Sequence, residues 1–154
     1  MGIAHAVACR SPCSRRQFGA ILVKNDSIIA TGYNGSVRGA INCGIDCDCL
    51  KDTHNEKSYK SYAYCPAVHA ETNAILNAAR NGISVKGSIL FLTPLSRRSN
   101  RQEGDRPCHI CRRMLINAGF KKCVYVDNKG KYIVESIVKW VELEDEWIGD
   151  RTRR

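Results

Sequence analysis

The chain of 154 residues contains no run of about eighteen uncharged apolar residues, so no membrane-spanning helix is encoded. Its start, "MGIAHAVACRSPCSRRQ", has neither the basic head nor the apolar stretch and small-residue cleavage pattern of a secretory signal. The Ser or Thr of a myristoylation motif is missing there too. Aromatic residues make up only 7%, which leaves no obvious stacking platform for single-stranded nucleic acid. Internal repeats, low-complexity tracts and linkers are absent. These absences lead us to expect one cytoplasmic domain over residues 1–154, long enough to bury a core without disulfide staples.

Acidic residues are also scarce relative to basic ones, 15 against 24, for a net charge of +9. The cations gather at Arg10, Arg15 and Arg16, between Arg97 and Arg113, and in the tail "DRTRR". Such a balance favours anionic ligands, either nucleotide phosphates or nucleic acid.

Cysteine is what the chain has in excess. Nine is an odd number, and a reducing compartment makes metal ligation, catalysis or core packing more natural roles than disulfides. Cys9 in "AHAVAC" and Cys123 in "KKCVYV" sit in apolar contexts that predict core positions.

The pattern alternates strands and helices. "AHAVACRS" predicts a short helix stopped by Ser11 and Pro12. Two apolar runs, 20–23 and 28–30, flank Asn25 and Asp26 and predict a hairpin. Residues 35–64 form a polar stretch, and a loop that long is usually functional or pinned by something. "AVHAETNAILNAARNG" is the clearest helix, with Ala70, Ala74, Ile75 and Ala78 near a 3.6-residue period and Gly82 at its end. "SILFLT" and "KCVYVD" predict buried strands around a second helix, "PCHICRRMLINAGF". "NKG" turns the chain tightly into "KYIVES", which predicts that the last strands run antiparallel; "IVKWVELEDEWI" fits strand or helix. The expected fold is α/β, a three-layer α-β-α domain with a mixed sheet.

Two of these segments carry the chemistry. Zinc takes nitrogen and thiolate ligands in a tetrahedron, and a catalytic site leaves one corner open. Cys108 and Cys111, spaced Cys-x-x-Cys at the opening of a helix, can face one point, and His69 arrives from the mouth of the other helix. Two helix N-termini supply positive partial charge that favours the thiolates. Glu71, two residues beyond His69, can relay protons beside the metal without ligating it. Neither motif says much alone, but His-x-Glu followed by Pro-Cys-x-x-Cys is the zinc deaminase signature.

On "TGYNGSVRGAINC", "AVHAETNAILNAARNGISVKG" and "PCHICRRMLINAGFKKCVYV", the chain resembles the cytidine and deoxycytidylate deaminases over residues 11–126. The branch it resembles most is the deoxycytidylate (dCMP) group. The resemblance implies a five-stranded sheet, one catalytic Zn²⁺ and hydrolytic loss of ammonia from C4 of cytosine, giving dUMP. It also implies substrate contacts from Asn34, Gly35 and Ala70, with Asn34 bonding the sugar and the loop from Gly35 approaching the phosphate. A homo-oligomer, of hexameric kind, and dCTP and dTTP as effectors follow from the same resemblance.

Two features depart from that group. A basic loop, 97–106, stands where a short link to Pro-Cys is usual, and the tight "NKG" connection is more like free-nucleoside deaminases. Another cytosine nucleotide or nucleoside (dCTP, CMP, deoxycytidine) or a base in tRNA is the alternative substrate, while nucleic acid is disfavoured by the few aromatics. Cys43, Cys47, Cys49, His54 and Cys65 crowd the loop before His69, and Cys13 can approach it. A second, structural zinc would hold such a loop; Cys43, Cys49 and Cys65 are its first candidates, with the fourth ligand open.

Overall fold

The computed structural model describes residues 1–53, 64–95 and 105–152, with side chains through 148. The chain opens with α1 (Gly2–Ala8), then a hairpin of β1 (Phe18–Lys24) and β2 (Ser27–Tyr33). Asn25 and Asp26 take φ of 49° and 59°, so both turn residues are left-handed, as the twist of a two-residue hairpin requires. Asn and Asp tolerate that conformation because their short polar side chains can bond locally. Next come α2 (Leu50–Thr53), α3 (Ala70–Arg80), β3 (Ile89–Pro94), α4 (His109–Asn117), β4 (Lys122–Val126), β5 (Tyr132–Ser136) and α5 (Ile137–Thr152). The strand-or-helix ambiguity over 137–148 thus resolves as helix. The predicted basic loop, His54 and most of 97–106 lie outside the described residues; Asp105 and Arg106 are within them.

The five strands lie in the order β2-β1-β3-β4-β5. β1 pairs antiparallel with both β2 and β3, β3 and β4 run parallel across the α4 crossover, and β5 returns antiparallel to β4. The sheet is mixed, as expected, and the tight turn after β4 does produce an antiparallel last pair.

Side-chain alternation along β1 separates the layers. Gly19 faces α1 so closely that a Cβ there would lie 2.0 Å from the Ala4 carbonyl oxygen. Its neighbour Ala20 points the other way, into a core with Leu22, Leu90, Leu92, Ala70, Ala74 and Ala78. Across the hairpin, Gly32 lies under α3, where a Cβ would sit 2.3 Å from the Ala74 nitrogen. The alanine stripe of α3 and these glycines therefore serve one end: they let helices approach the sheet at backbone distance. Leu115 of α4 and Ile137 and Trp140 of α5 join the α3 side of the core. Helices on both faces make the three-layer α-β-α sandwich.

Gly82 (φ +66°) follows α3 and Gly119 (φ +75°) follows α4, each supplying the left-handed residue that ends a helix. Cys123 is buried in the core as predicted. Cys9 is not: α1 stops at Ala8, and the thiol of Cys9, at the cap position, lies on the exposed side, 3.5 Å from the His5 carbonyl. Its apolar neighbours in sequence belong to the buried face of a helix that has already ended.

Candidate active site

His69 and Cys108 are the N-cap residues of α3 and α4, with extended backbones (ψ 155° and 163°). Neither side chain caps its own helix, so both are free to turn toward one another. Cys111 stands one turn into α4. The parallel β3–β4 pair brings the two helix mouths together, because β3 leads from α3 to α4 and both helices lie on one face.

His69 Nδ1 is 3.5 Å from Cys108 Sγ and 3.4 Å from Cys111 Sγ. In a zinc tetrahedron, bond lengths near 2.0 Å to nitrogen and 2.3 Å to sulfur place such donors about 3.6 Å apart. The observed spacing matches, and the donor set of one imidazole and two sulfurs is the kind that selects zinc. All three ligand atoms lie within 4.8 Å of one another, and among the described residues no other group of three His, Cys, Asp or Glu does so.

The charges around this point are coupled. The two sulfurs are coupled: their mutual hydrogen bond lowers the Cys108 thiol pKa and raises that of Cys111. The His69 pKa is raised mainly by its hydrogen bond to Cys108, against the opposing effect of burial. Glu71, only 5% exposed, has its carboxyl pKa raised by burial above the ordinary carboxylate value. An upward shift is the direction that general acid-base use of a carboxyl group requires.

A cavity opens over these residues, with His69, Glu71 and Cys108 in its lining. Ser14, Arg15, Arg16, Lys51 and Arg106 also line it, so four cations stand among thiol, apolar and polar neighbours. Composition located Arg15 and Arg16 in a basic cluster, but Lys51 carried no signal, and the buried carboxylate of Asp105, also lining the cavity, was missed. Arg16 Nη2 donates to Asp105 at 2.8 Å, and its guanidinium lies 5.0 Å from the Phe18 ring centroid. Nothing in a linear sequence distinguishes such a buried carboxylate from a solvated one.

Asn34 and Gly35 line the cavity as expected. Asn34 Oδ1 accepts from the Phe18 N–H at 2.7 Å and lies 2.9 Å from Ser11 Oγ, while Nδ2 donates to the Arg16 carbonyl at 2.8 Å. Most of the amide is committed to holding β1, β2 and the 11–17 segment, leaving one N–H for a ligand. Gly35 pairs with Val68 through two backbone bonds, of 3.2 and 2.8 Å, and so ties this segment to the approach to His69. Ala70 is the first residue of α3. Its side chain is fully buried in the core and does not line the cavity, because the turn per residue of α3 carries it inward between His69 and Glu71.

Among the described residues, Cys43, Cys49 and Cys65 are not gathered as a set of three at ligand spacing, and His54 lies outside those residues. The three cysteines line the same cavity, as does Cys13. Cys43 and Cys49 are near enough to hydrogen-bond, and burial raises the Cys43 thiol pKa. Cys43 also pairs with Cys47 as an isolated parallel β-bridge.

An α-β-α sandwich that sets one imidazole, two thiols and a buried carboxylate at two helix mouths defines a zinc-dependent hydrolytic deaminase. The chain belongs to the cytidine and deoxycytidylate deaminase family, whose zinc-binding region matches residues 1–127. It is 32% identical to the deoxycytidylate deaminase of Enterobacteria phage T2, over 84% of this chain and 78% of that protein. Identity to the deoxycytidylate deaminase of Mycobacterium phage D29 is 35%, over 81% of this chain and 89% of the other. The crystal structure of dCMP deaminase from the cyanophage S-TIM5, in complex with dCMP and dUMP, superposes with a TM-score of 0.60 at 33% identity, covering 82% of this chain and 76% of that one.

Proposed function

We propose that this protein hydrolyses dCMP to dUMP and ammonia. The observation that carries the proposal is the convergence of His69, Cys108 and Cys111 beside buried Glu71, at a cavity that Arg15, Arg16, Lys51 and Arg106 also line. The phage relatives named deoxycytidylate deaminases, and the homologue crystallised with dCMP and dUMP, support the choice of substrate.

On this reading His69, Cys108 and Cys111 hold the zinc. When bound, the metal lowers the pKa of a water toward neutrality and so supplies the nucleophile for C4. Glu71 would take a proton from the attacking water and deliver it to the ring nitrogen next to C4, then take the proton of the new C4 hydroxyl and pass it to the departing amine. One water is consumed, the C4–N bond breaks, and a carbonyl and ammonia result. The raised pKa of Glu71 makes both directions of transfer accessible. The remaining Asn34 N–H and the Gly35 backbone orient the nucleotide, and Arg15, Arg16, Lys51 and Arg106 compensate its phosphate. Ala70 would contribute through its main chain alone.

The whole chain acts as one catalytic domain, in the cytoplasm. A homo-oligomer, of hexameric kind as the family resemblance implies, belongs to this reading, and apolar side chains left exposed on α5, Val138, Val141, Trp147 and Ile148, suit a contact between copies. Effector control by dCTP and dTTP belongs to the same reading. The test is ammonia release from dCMP, deoxycytidine, dCTP and CMP supplied separately. Preference for dCMP supports the proposal; turnover of deoxycytidine with no gain from the phosphate would refute it.

A further inference from the structure

Residues beyond the family-matched region reach the cavity wall at one place. Arg106 lines the cavity, two residues before Cys108, and its side chain is only 12% exposed. Its Nε donates to Glu135 Oε2 at 2.8 Å. The indole N–H of Trp140 donates to the same oxygen at 2.7 Å, and the Arg106 guanidinium lies 5.8 Å from the Trp140 ring centroid. Glu135 also hydrogen-bonds the Tyr125 hydroxyl. Arg106 Nη2, by contrast, is buried and has no partner among the described residues. Glu135 lies on β5 and Trp140 on α5, both after residue 127.

Stability alone is a poor explanation of this arrangement. Desolvating two charges usually offsets most of their attraction, and an orphaned N–H adds a further penalty. The pattern suits a guanidinium held in place by Glu135 and Trp140 at the cavity wall, with the hydrogen-bonding capacity of its Nη2 unspent. The planar fork of arginine matches a phosphate in a way that a lysine cannot. The other cavity arginine with a buried carboxylate, Arg16, already donates through Nη2 to Asp105.

We infer that Glu135 is a positioning residue that fixes Arg106 as the phosphate-selecting wall of the cavity. Preference for nucleotide over nucleoside then depends on the C-terminal β5–α5 unit. The inference rests on the dCMP reading. Loss of Arg106 acts twice, because it removes the cation and leaves the Glu135 carboxylate uncompensated beside the incoming phosphate.

The experiment measures kcat/KM for dCMP and for deoxycytidine on zinc-loaded proteins, alongside zinc content and Tm. Arg106→Gln should lower the dCMP-to-deoxycytidine ratio roughly ten- to a hundredfold, chiefly through KM for dCMP. Arg106→Lys, which keeps the charge but loses the fork, should give an intermediate ratio and covers the case in which Arg106→Gln folds poorly. Glu135→Leu should lower the ratio in the same direction. Glu135→Gln, which keeps an oxygen for Nε to bond, should restore it to within about threefold of wild type. The double variant Arg106→Gln/Glu135→Leu should be no worse than Arg106→Gln alone, to within about twofold. Proportional loss on both substrates, failure of Glu135→Gln to rescue, or additive losses in the double variant would overturn the inference. A wild type with no preference for dCMP would instead overturn the proposed function; a clear preference that survives every variant overturns only this inference.

Discussion

Two groups of cysteines lie at one cavity, and among the described residues only one of them converges with a histidine. Cys108 and Cys111 meet His69 within ligand spacing, whereas Cys43, Cys49 and Cys65 are not brought together as a set of three among the described residues, although Cys43 and Cys49 pair. Local spacing does not account for the difference, since Cys47 and Cys49 are closer in sequence than Cys108 and Cys111. What differs is the backbone beneath. Cys108 and Cys111 share the first turn of α4, whose position is fixed by the parallel strands on either side of it, and His69 opens a helix packed at backbone distance on Gly32. The other thiols hang on the long polar stretch after β2, where a short α2 and two isolated β-bridges are the regular pairing among the described residues. Ligand geometry comes from rigid elements, and a cluster of donors in sequence is not a site until such elements aim it.

The sharpest way to break this comparison is to remove one member of each group. Cys108→Ser, Cys111→Ser or His69→Ala should abolish both stoichiometric zinc and ammonia release, while Cys49→Ser should keep the zinc held by His69. Metal analysis of the purified variants reads the result directly; zinc lost equally from all four would erase the distinction drawn here. Glu71→Ala separates ligation from proton transfer. It should keep zinc and lower kcat by about a hundredfold to ten-thousandfold, the range expected for a general acid-base.

The scaffold side of the comparison is tested by Gly32→Ala. The added Cβ would meet the Ala74 backbone at 2.3 Å, so α3 must shift. We expect a loss of about 1–3 kcal/mol in stability, read by denaturant unfolding, together with weaker zinc retention, since His69 opens that helix. Gly82→Ala, past the far end of the same helix, meets no neighbour within 4 Å but must adopt φ +66°. Its loss should be about 1 kcal/mol, with zinc retention unchanged.

The smallest effect concerns pH. Burial raises the Glu71 pKa in the folded protein above its unfolded value, so the folded state holds a proton across the window between the two. Stability associated with this group is therefore full below the unfolded pKa and falls as pH rises through the folded one. Glu71→Gln should be nearly neutral for Tm near pH 4 and increasingly stabilising toward pH 8, measured with a metal chelator present. A Tm difference independent of pH would contradict the assigned burial.

Much of this was legible in the sequence for a physical reason. Helix periodicity with glycine stops located α3 and α4, and the two motifs sit at helix mouths where one turn sets ligand spacing. The hairpin turn was equally plain, because Asn-Asp between apolar runs leaves few alternatives. Three things were not legible. The inward rotation of Ala70 depends on where α3 begins, and a one-residue shift at a helix start turns a side chain by a quarter of the circle. The exposure of Cys9 depends on where α1 ends. The partnerships of Asp105 with Arg16, and of Glu135 with Arg106, span 89 and 29 residues, and a charge's partner across such a gap leaves no mark on the local pattern.

The central claim is that one imidazole and two thiolates surround a zinc that keeps a corner for water. Zinc X-ray absorption on Cys43→Ser/Cys49→Ser protein loaded with one equivalent of metal tests it most directly. The account predicts two sulfurs at about 2.3 Å and two lighter ligands at about 2.0–2.1 Å, one of which changes when substrate is added. Three or four sulfurs around the ion, or a first shell indifferent to dCMP, would contradict it.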